Sequence, residues 1–374
     1  MNQLQHVKDL PAKLRAKKGF SLNMTIGLDG FVDEIIHVVD KRQDAQNFTR
    51  LKTIGDFGKR ISSAAGLSTN IEMVTTQFKL GGNGPILSNA LIEYGVNLTY
   101  VGALGKPEIH PVFKDMVARA DKVYSLIEPG RSDCVEFEDG KIIIGKHSTL
   151  ASLTWDVFKD ALGGASGIAQ LINNTHLFGM ENWTMLPYMS DIWRGIITEV
   201  FPLVRARGRK PLAFFDLADP EKRTFEDIRD AMKLIRQFEE QFRVVLGLNA
   251  KEAYEIAHVL GVTPADNSLE VVTCAVYRKL GIYCLVVHPV HNAACVVDGD
   301  YFETDGPYCK KPKLTTGAGD NFNAGFCLGL ALGLDPLDCL TLGVSTSGVY
   351  VRNAKSPSYD EVINFAEAWA SGAV

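Results

Sequence analysis

The fold is decided by the stretch Thr315-Thr316-Gly317-Ala318-Gly319-Asp320, which leads directly into a helical pattern from Asn321 to Gly333. Three small residues at the start of a helix expose backbone N–H groups, and the positive end of the helix dipole attracts an anion there. A carboxylate in this place would repel a phosphate, but it could remove a proton from a hydroxyl group that attacks phosphorus. The stretch therefore predicts phosphoryl transfer to an alcohol.

The helix after this stretch carries two stripes of residues at four-residue spacing. The small stripe is Gly325, Gly329 and Gly333, and the apolar stripe is Phe322, Phe326 and Leu330. Glycine costs a helix about 1 kcal/mol relative to alanine, so a glycine stripe indicates close packing on a neighbour and places the loop against a sheet. The alternative is a glycine-rich turn that caps an ordinary buried helix, and the flanking Thr-Thr and Asp favour the functional interpretation.

Three motifs in order along the chain resemble those of one enzyme family. The segment Thr316–Phe326 resembles the C-terminal signature of the ribokinase/PfkB family of carbohydrate and nucleoside kinases. Gly81-Gly82-Asn83-Gly84 resembles the family's di-glycine motif, with an apparent two-residue expansion before Asn89-Ala90. Asn249-Ala250-Lys251-Glu252 resembles its N-x-x-E motif. The resemblance spans most of the chain, and the Gly-Ala-Gly-Asp element is its most specific part.

The chain alternates short apolar strands with helical patterns. Such alternation predicts an α/β protein with a mostly parallel central sheet and helices on both faces, and the resemblance implies the three-layer ribokinase-like fold. Ligands of such sheets bind beyond the carboxyl ends of the strands, where Asp33, Asp216, Asn249 and the 315–320 loop are expected. The predicted strands are Ser21–Ile26, Leu98–Gly102, His176–Phe178, Leu212–Asp216, Arg243–Gly247 and Ile282–Val287. The predicted helices are Pro85–Tyr94, Met189–Arg205, Phe225–Gln241 and Ala250–Leu260.

Three segments depart from this alternation and predict exposed β structure. They are Asp33–Val39, Ile71–Phe78 and Cys134–Ile144, the last a hairpin turning at Asp139-Gly140. We expect segments of about 33–40, 71–80 and 131–147 to form a small β lid on one domain covering residues 1–374. The resemblance implies a lid that covers the sugar, excludes water and often helps to form a homodimer.

The resemblance assigns catalysis to the loop. Asp320 is predicted to be the general base that activates a primary hydroxyl, and Gly317, Ala318 and Gly319 are predicted to form the anion hole. The structural alternative for Asp320 is a helix cap.

The remaining roles concern ligands. Asp33 is predicted to grip sugar hydroxyls with Gly82, Asn83 and Asp29, although Asp29-Gly30 could be only a turn. The predicted nucleotide-binding residues are Asn249, Glu252, Thr316 and Asn323, with Glu252 holding the Mg²⁺ that accompanies ATP, through water. The alternative for Asn249 and Glu252 is a helix cap followed by an exposed first-turn glutamate.

Composition sets broad limits on the function. The chain has 374 residues, 46% of them hydrophobic, and a formal charge of -5. This charge gives no indication of a basic nucleic-acid-binding surface. The basic residues between Lys8 and Lys18 are more simply explained by a solvated amphipathic helix than by a targeting signal or a membrane anchor. The longest apolar stretch, near Ala324–Leu334, is too short to span a bilayer. Seven cysteines without a C-x-x-C pair predict reduced thiols and a cytoplasmic protein.

Two departures from the family pattern concern nucleotide and ion binding. Leu314 stands where relatives often carry an aspartate, which puts in doubt the monovalent-cation site that many members build there. His288–Ala294 replaces a Thr-x-Gly turn, so nucleotide contacts must differ in that region.

Two other motifs are rejected on physical grounds. The pair His288 and His291 could suggest a metal site, but it lacks a third ligand. The near Walker A sequence Gly140–His147 lacks its final Ser or Thr, and its isoleucines favour a strand.

The sequence therefore predicts an ATP-dependent kinase acting on a hydroxymethyl group of a sugar or a small polyol. A nucleoside or sugar-phosphate kinase of the same family is the first alternative. A catalytically silent binding protein is the second, and Asp320 argues against it. A Rossmann dehydrogenase is a weak third, because the segment Gly317–Phe322 lacks the last glycine of that fingerprint and lies near the C-terminus. The acceptor itself depends on pocket side chains and stays open.

Overall fold

The computed structural model describes residues 3–266 and 268–374. Its strands are β1 (Asn23–Leu28), β2 (Phe31–Arg42), β3 (Phe48–Arg50), β4 (Met73–Gly81), β5 (Asn97–Gly102), β6 (Lys122–Ser125), β7 (Gly130–Glu136), β8 (Lys141–Lys146), β9 (Leu177–Glu181), β10 (Leu212–Asp216), β11 (Arg243–Leu248), β12 (Cys284–Val287), β13 (Asn292–Val297) and β14 (Asp300–Asp305).

The helices alternate with these strands over most of the chain. They are α1 (Gln3–Lys17), α2 (Ile54–Ser62), α3 (Asn83–Glu93), α4 (Lys114–Arg119), α5 (Trp155–Ala161), α6 (Gly164–Asn174), α7 (Met189–Gly195), α8 (Phe225–Gln237), α9 (Ala250–Val259), α10 (Leu269–Leu280), α11 (Ala318–Leu332), α12 (Pro336–Asn353) and α13 (Tyr359–Ala370). Among the described residues, no helix has the length and apolar character needed to cross a membrane.

The central sheet has nine strands in the order β14-β13-β12-β11-β10-β9-β1-β5-β6. Neighbouring strands are parallel from β6 to β12, and β13 and β14 add an antiparallel hairpin at one edge. One hydrophobic core lies between the sheet and α5 to α10, and a second lies between the other face and α1, α3, α4 and α11 to α13. The expected three-layer α/β architecture is confirmed, because two cores require a layer of helices on each face of the sheet.

The smaller sheet contains the segments expected to form a lid. Strand β2 continues from β1 after Asp29-Gly30 and pairs with β3, β4 and β7, while β8 forms a hairpin with β7. The turn of that hairpin contains Gly140 at φ 156°, which fits the predicted Asp-Gly turn. The smaller sheet therefore leaves the central sheet at the carboxyl end of β1, beside the expected ligand edge.

Several element boundaries differ from those read in the sequence. The predicted helix Met189–Arg205 is α-helical only to Gly195 and then passes through a π turn and a 3₁₀ turn that contains Pro202. The predicted helix Phe225–Gln241 ends its α-helical part at Gln237. The helix after the anion-binding stretch begins at Ala318 rather than Asn321, so Asp320 lies in its first turn.

The glycine stripe of α11 packs on a helix rather than on the sheet. A Cβ added at Gly325 would lie 2.3 Å from Thr346 Oγ1, and one at Gly329 would lie 2.9 Å from Cys339 Sγ, both on α12. Close packing is confirmed for these two positions. Gly333 instead ends α11 in a left-handed conformation at φ 72°, the usual role of a glycine after a helix.

The N-terminal basic helix is only partly solvated. Val7, Leu10 and Leu14 are buried on one face of α1, while Arg15 and Lys18 form ion pairs with Glu367 and Asp360 beside α13. The predicted amphipathic helix is confirmed, but its apolar stripe is part of the core. All seven cysteines are free thiols.

Candidate active site

The stretch 315–320 folds as a turn that opens α11. Gly317 caps the helix at φ 87°, and a Cβ there would lie 2.8 Å from the hydroxyl oxygen of Tyr350, so both the backbone conformation and the space require glycine. The N–H of Ala318 donates to the carbonyl of Thr315 at 3.1 Å. The N–H groups of Gly317 and Gly319 are therefore better candidates for an incoming anion than that of Ala318, although all three belong to the predicted anion hole.

A cavity of about 390 Å³ opens beside this turn. Its wall includes Asn249, Thr315, Ala318, Gly319 and Phe322, together with the segment that replaces the family's Thr-x-Gly turn. A concave and largely apolar cavity of this volume suits the base of a nucleotide. The predicted nucleotide residues Asn249 and the anion turn thus share one cavity.

The two histidines of the replacement segment have separate packing partners. The ring of His288 lies against Gly319, where an added Cβ would be 3.1 Å from its Cε1, and packs on Phe322 with ring centroids 4.9 Å apart. Burial lowers the pKa of His288 to about 4, so its imidazole is neutral at physiological pH. His291 stacks on Tyr308 at 4.6 Å. The ring of His288 is therefore part of the cavity wall, whereas His291 lies behind Tyr308, which lines the cavity.

Asp320 is the third residue of α11 and is 8% exposed. Burial and then the charge of Asp29 raise its pKa to about 8, while a hydrogen bond from the side chain of Asn83 lowers it. A carboxylate with a pKa near the working pH, beside helix N–H groups, is suited to accept a proton during attack on a phosphate.

Two further acids lie beneath Asp320 at the carboxyl ends of β9 and β10. Glu181 is fully buried, and neither of its carboxylate oxygens has a hydrogen-bond partner among the described residues. Burial, followed by the charges of Asp216, Asp320 and Asp29, raises its pKa well above the ordinary value. Strand register places Glu181 opposite Asp216. Burial and the charge of Glu252 raise the pKa of Asp216 as well. Glu181 is a site residue that the sequence reasoning missed, although a glutamate ending an apolar strand was the available signal.

Asn323 reaches the site through Asp216. It is fully buried, and its amide donates to Asp216 Oδ2 at 3.1 Å while its Oδ1 has no partner among the described residues. The structure therefore places this predicted nucleotide-binding residue beneath the cluster of acids.

The di-glycine motif is explained by the carboxylates that approach it. A Cβ at Gly81 would lie 2.5 Å from the carboxyl group of Asp33, and one at Gly82 would lie 2.8 Å from Asp29 Oδ2. Asp29 is fully buried and accepts hydrogen bonds from the N–H groups of Asn83 and Gly84, each at 2.9 Å. Burial raises the pKa of Asp29 to about 6. Asp29 thus caps α3 and also faces Asp320, which makes it more than a turn residue.

Asp33 lies in the lid strand β2 between Lys79 of β4 and Ser132 of β7. Burial raises the pKa of Asp33, while a hydrogen bond from Ser132 and the charges of Lys141 and Lys79 lower it. Lys141 of β8 donates from Nζ to Thr316 Oγ1 at 2.9 Å. Lys141 therefore hydrogen-bonds to the turn that opens α11 and lies near enough to Asp33 for its charge to act there, a connection that the sequence analysis did not find.

The N-x-x-E motif opens α9 as a capping box. Asn249 accepts from the N–H of Glu252 at 3.0 Å, and the carboxylate of Glu252 accepts from the N–H of Asn249 at 2.8 Å and of Asp219 at 2.9 Å. The cap expected as the structural alternative is present, but Glu252 is 5% exposed and not a surface residue. Each of its oxygens keeps a lone pair, and burial raises its pKa.

These oxygen donors fit a hydrated Mg²⁺. Mg²⁺ prefers oxygen ligands and keeps several waters, so one or two carboxylates beside a phosphate site suffice. Within residues 3–266 and 268–374, no group of three or more His, Cys, Asp or Glu side chains is arranged to hold a metal ion by itself. Glu252, and Asp216 on which its charge acts, could meet such an ion through water.

The turn that opens α11, the buried Asp320 and the side chain of Lys141 lie around one cleft, in a fold of the ribokinase-like class. Solved structures of that class share the fold. Ribokinase from Arabidopsis thaliana complexed with ribose and ATP aligns with a TM-score of 0.63 at 14% identity, covering 93% of this chain and 99% of that one. Adenosine kinase from Sinorhizobium meliloti aligns with a TM-score of 0.59 at 15% identity, covering 94% and 99%.

Sequence comparison gives the family. The profile of the prokaryotic ketohexokinase family matches residues 3–369, and the chain belongs to that family. Ketohexokinase from Haloferax volcanii is 28% identical over 345 residues, which cover 92% of this chain and 90% of that protein. Inositol 3-kinase from Arabidopsis thaliana is 29% identical over 133 residues, or 35% and 37% of the two chains. The protein is a carbohydrate kinase that phosphorylates a sugar with ATP.

Proposed function

We propose that the protein transfers the γ-phosphoryl group of ATP to a hydroxymethyl group of a ketohexose. Family membership and the Haloferax volcanii relative support the acceptor class. The observation that carries the chemistry is Asp320, a buried carboxylate in the first turn of α11 with its pKa raised to about 8. No group in an inert binding pocket would need that combination of burial, charge and helix N-terminus.

The proposed reaction is an in-line displacement. The acceptor oxygen loses its proton to Asp320 and forms a bond to the γ-phosphorus, while the bond from that phosphorus to the β,γ-bridging oxygen breaks and ADP leaves. The N–H groups of Gly317 and Gly319, with that of Ala318 if its turn opens, stabilise the charge on the transferred group. The reaction thus needs both partners held on opposite sides of this turn.

The acceptor is proposed to lie between the lid and the start of α3. Asp29 and Asp33 accept hydrogen bonds from sugar hydroxyls, and Asn83 and the main chain at Gly82 complete the pocket. The two carboxylates flank Gly81 and Gly82, where the absence of side chains lets them approach the main chain closely. Holding two hydroxyl groups at once fixes the third in line with the phosphate.

The nucleotide is proposed to occupy the cavity beside the anion turn. Mg²⁺ bound with ATP neutralises phosphate charge, and Glu252 and Asp216 would hold its waters. Lys141 would meet the γ-phosphate from the lid, since its Nζ already lies 2.9 Å from Thr316 Oγ1. Asn249 and Thr316 line the phosphate path, and Asn323 holds Asp216 in place.

We also propose that the smaller sheet is a lid of a single domain and that it forms a homodimer contact. Phe78 and Ile144 are 56% and 44% exposed. Register places both on the face of the sheet that carries Glu34, with Phe78 opposite Glu34 and Ile144 opposite Asp133, so two exposed apolar side chains lie on this face beside acidic residues. Light scattering of the purified protein should give about twice the chain mass of 41.0 kDa, and a monomer would contradict the contact.

The test of function is a panel of acceptors with an ADP-release assay. The panel contains D-fructose and other ketohexoses, aldohexoses, myo-inositol, adenosine and fructose 6-phosphate, with Mg²⁺ and ATP. We expect the highest kcat/KM with a ketohexose. A clear preference for adenosine or for fructose 6-phosphate would establish the alternative kinase classes, and no acceptor-dependent ADP release would indicate a silent binding protein.

A further inference from the structure

Asn182 connects the two halves of the proposed acceptor pocket. It follows β9 directly, is 4% exposed, and has a left-handed backbone at φ 62°. Its Nδ2 donates to Asp29 Oδ2 at 2.8 Å and to Asn83 Oδ1 at 3.3 Å. Its own Oδ1 accepts from the N–H of Met185 at 3.3 Å, which fixes the orientation of the amide. No sequence motif marked this residue.

The amide determines how Asp29 can meet a ligand. A carboxylate accepts about four hydrogen bonds, two on each oxygen. Oδ2 of Asp29 already accepts from Asn182 and from the N–H of Asn83, while Oδ1 accepts from the N–H of Gly84. The remaining acceptor position therefore lies on Oδ1, and Asn182 is the side chain that leaves it there.

The same amide sets the direction of Asn83. Because Asn182 donates to Oδ1 of Asn83, the NH₂ group of Asn83 must point elsewhere, and the Asn83 side chain hydrogen-bonds to the carboxylate of Asp320. Asp29, Asn182, Asn83 and Asp320 thus form one chain of hydrogen bonds with a fixed polarity. The acceptor carboxylate and the base are joined through two amides.

We propose that Asn182 is a positioning residue whose amide orients Asp29 and Asn83 so that an acceptor hydroxyl reaches Asp320 in line with the phosphate. The inference rests on the proposed function, because it assigns the acceptor to this side of the site. In this role Asn182 acts through Asp29 and Asn83 and not by contact with the acceptor or the nucleotide. Its loss should therefore weaken acceptor use while nucleotide binding at the cavity beside the anion turn is retained.

The test compares three variants with the wild type. Asn182→Gly removes the amide but tolerates the left-handed backbone, so it separates hydrogen bonding from backbone strain. Asn182→Asp keeps the shape and replaces the donors with acceptors that face Asp29 and Oδ1 of Asn83. Thr184→Val is the matched control, because Thr184 lies in the same loop, is buried, and its hydroxyl has no partner among the described residues. The measurements are kcat, acceptor KM, ATP KM and thermal melting.

For Asn182→Gly we expect acceptor KM to rise about 10-fold, the effect of one lost hydrogen bond to a carboxylate, with kcat lowered as well. ATP KM should stay within about 2-fold of the wild type. Melting should fall only modestly, since glycine relieves the left-handed backbone strain while the buried hydrogen bonds of the amide are lost. Asn182→Asp should be more severe, and Thr184→Val should match the wild type.

Two results would overturn the proposal while the wild type remains an active sugar kinase. One is an Asn182→Gly variant with acceptor KM and kcat unchanged. The other is a parallel rise of both KM values with a lower melting temperature, which would make Asn182 structural. A wild type that phosphorylates no sugar would overturn the proposed function and this inference together, and the wild-type assay alone distinguishes that case.

Discussion

Replacing Asp320 with asparagine should abolish most turnover and also stabilise the protein at alkaline pH. Asparagine keeps the shape of the side chain but cannot accept a proton, so kcat should fall about 10²- to 10⁴-fold. The KM for ATP should change little, because the cavity and the N–H groups of the anion turn are retained. Acceptor-dependent ADP release gives both constants.

The stability effect follows from the pKa of Asp320, raised by burial and by Asp29 from 3.8 to about 8. A raised carboxyl pKa contributes stability that is complete below about pH 3.8 and is lost as the pH rises through about 8. Acting alone, the rise would correspond to about 6 kcal/mol. Because the ionisation of Asp320 is linked to the charges of Asp29 and Glu252, we expect roughly 1–3 kcal/mol from its removal at pH 9.

For a chain of 374 residues this gain raises the melting temperature by about 1–4 °C at pH 9, with a smaller difference at pH 5. Differential scanning fluorimetry at the two pH values provides the comparison. An Asp320→Asn variant with near-normal turnover would show that another group is the base. A melting difference that is the same at pH 5 and pH 9 would show that Asp320 is not ionised in a buried site.

Three further substitutions test the other roles. Glu252→Gln should raise the Mg²⁺ concentration for half-maximal activity several-fold, whereas Glu255→Gln on the same helix should not. Equal Mg²⁺ titrations of the two variants would show that Glu252 serves only to cap the helix. Asp33→Ala should raise acceptor KM and lower kcat with ATP affinity retained by calorimetry, and a joint loss of ATP binding would make Asp33 structural. Lys141→Met should lower kcat about 10²-fold, because it removes a positive charge that would stabilise the transferred phosphoryl group. Lys146→Met, at the other end of β8, is the control that should keep activity. Equal losses in both variants would indicate a general effect on the smaller sheet.

Much of the architecture could be predicted because local sequence patterns determine many of the strands and turns. Apolar runs and turn residues marked the strands from β9 to β12, and the Asp-Gly turn marked the β7–β8 hairpin. The antiparallel pair β13 and β14 and the helices α12 and α13 were missed, since their patterns are uniformly apolar or mixed. The burial of α1 also escaped prediction, because only packing against α13 decides whether an amphipathic helix is solvated.

The site was predictable where one segment carries the chemistry. Asp320 and the neighbouring glycines can be recognised in the sequence, because a carboxylate stands directly beside a glycine-rich helix N-terminus. Glu181, Asn182 and Lys141 could not be recognised, because the partner of each is distant in the sequence. Glu181 lies opposite Asp216, Asn182 donates to Asp29, and Lys141 donates to Thr316. Such contacts are a property of the folded sheet edge, where strand ends from distant segments meet.

The central claim is transfer of phosphate to a hydroxymethyl group of a ketohexose, and the product itself tests it most directly. Wild-type protein is incubated with ATP, Mg²⁺ and D-fructose, and the products are followed by phosphorus NMR without proton decoupling. The account predicts one ADP for each new phosphomonoester, with the ester signal split by the two protons of a methylene group. An ester signal split by a single ring proton, or ADP accompanied only by inorganic phosphate, would contradict it.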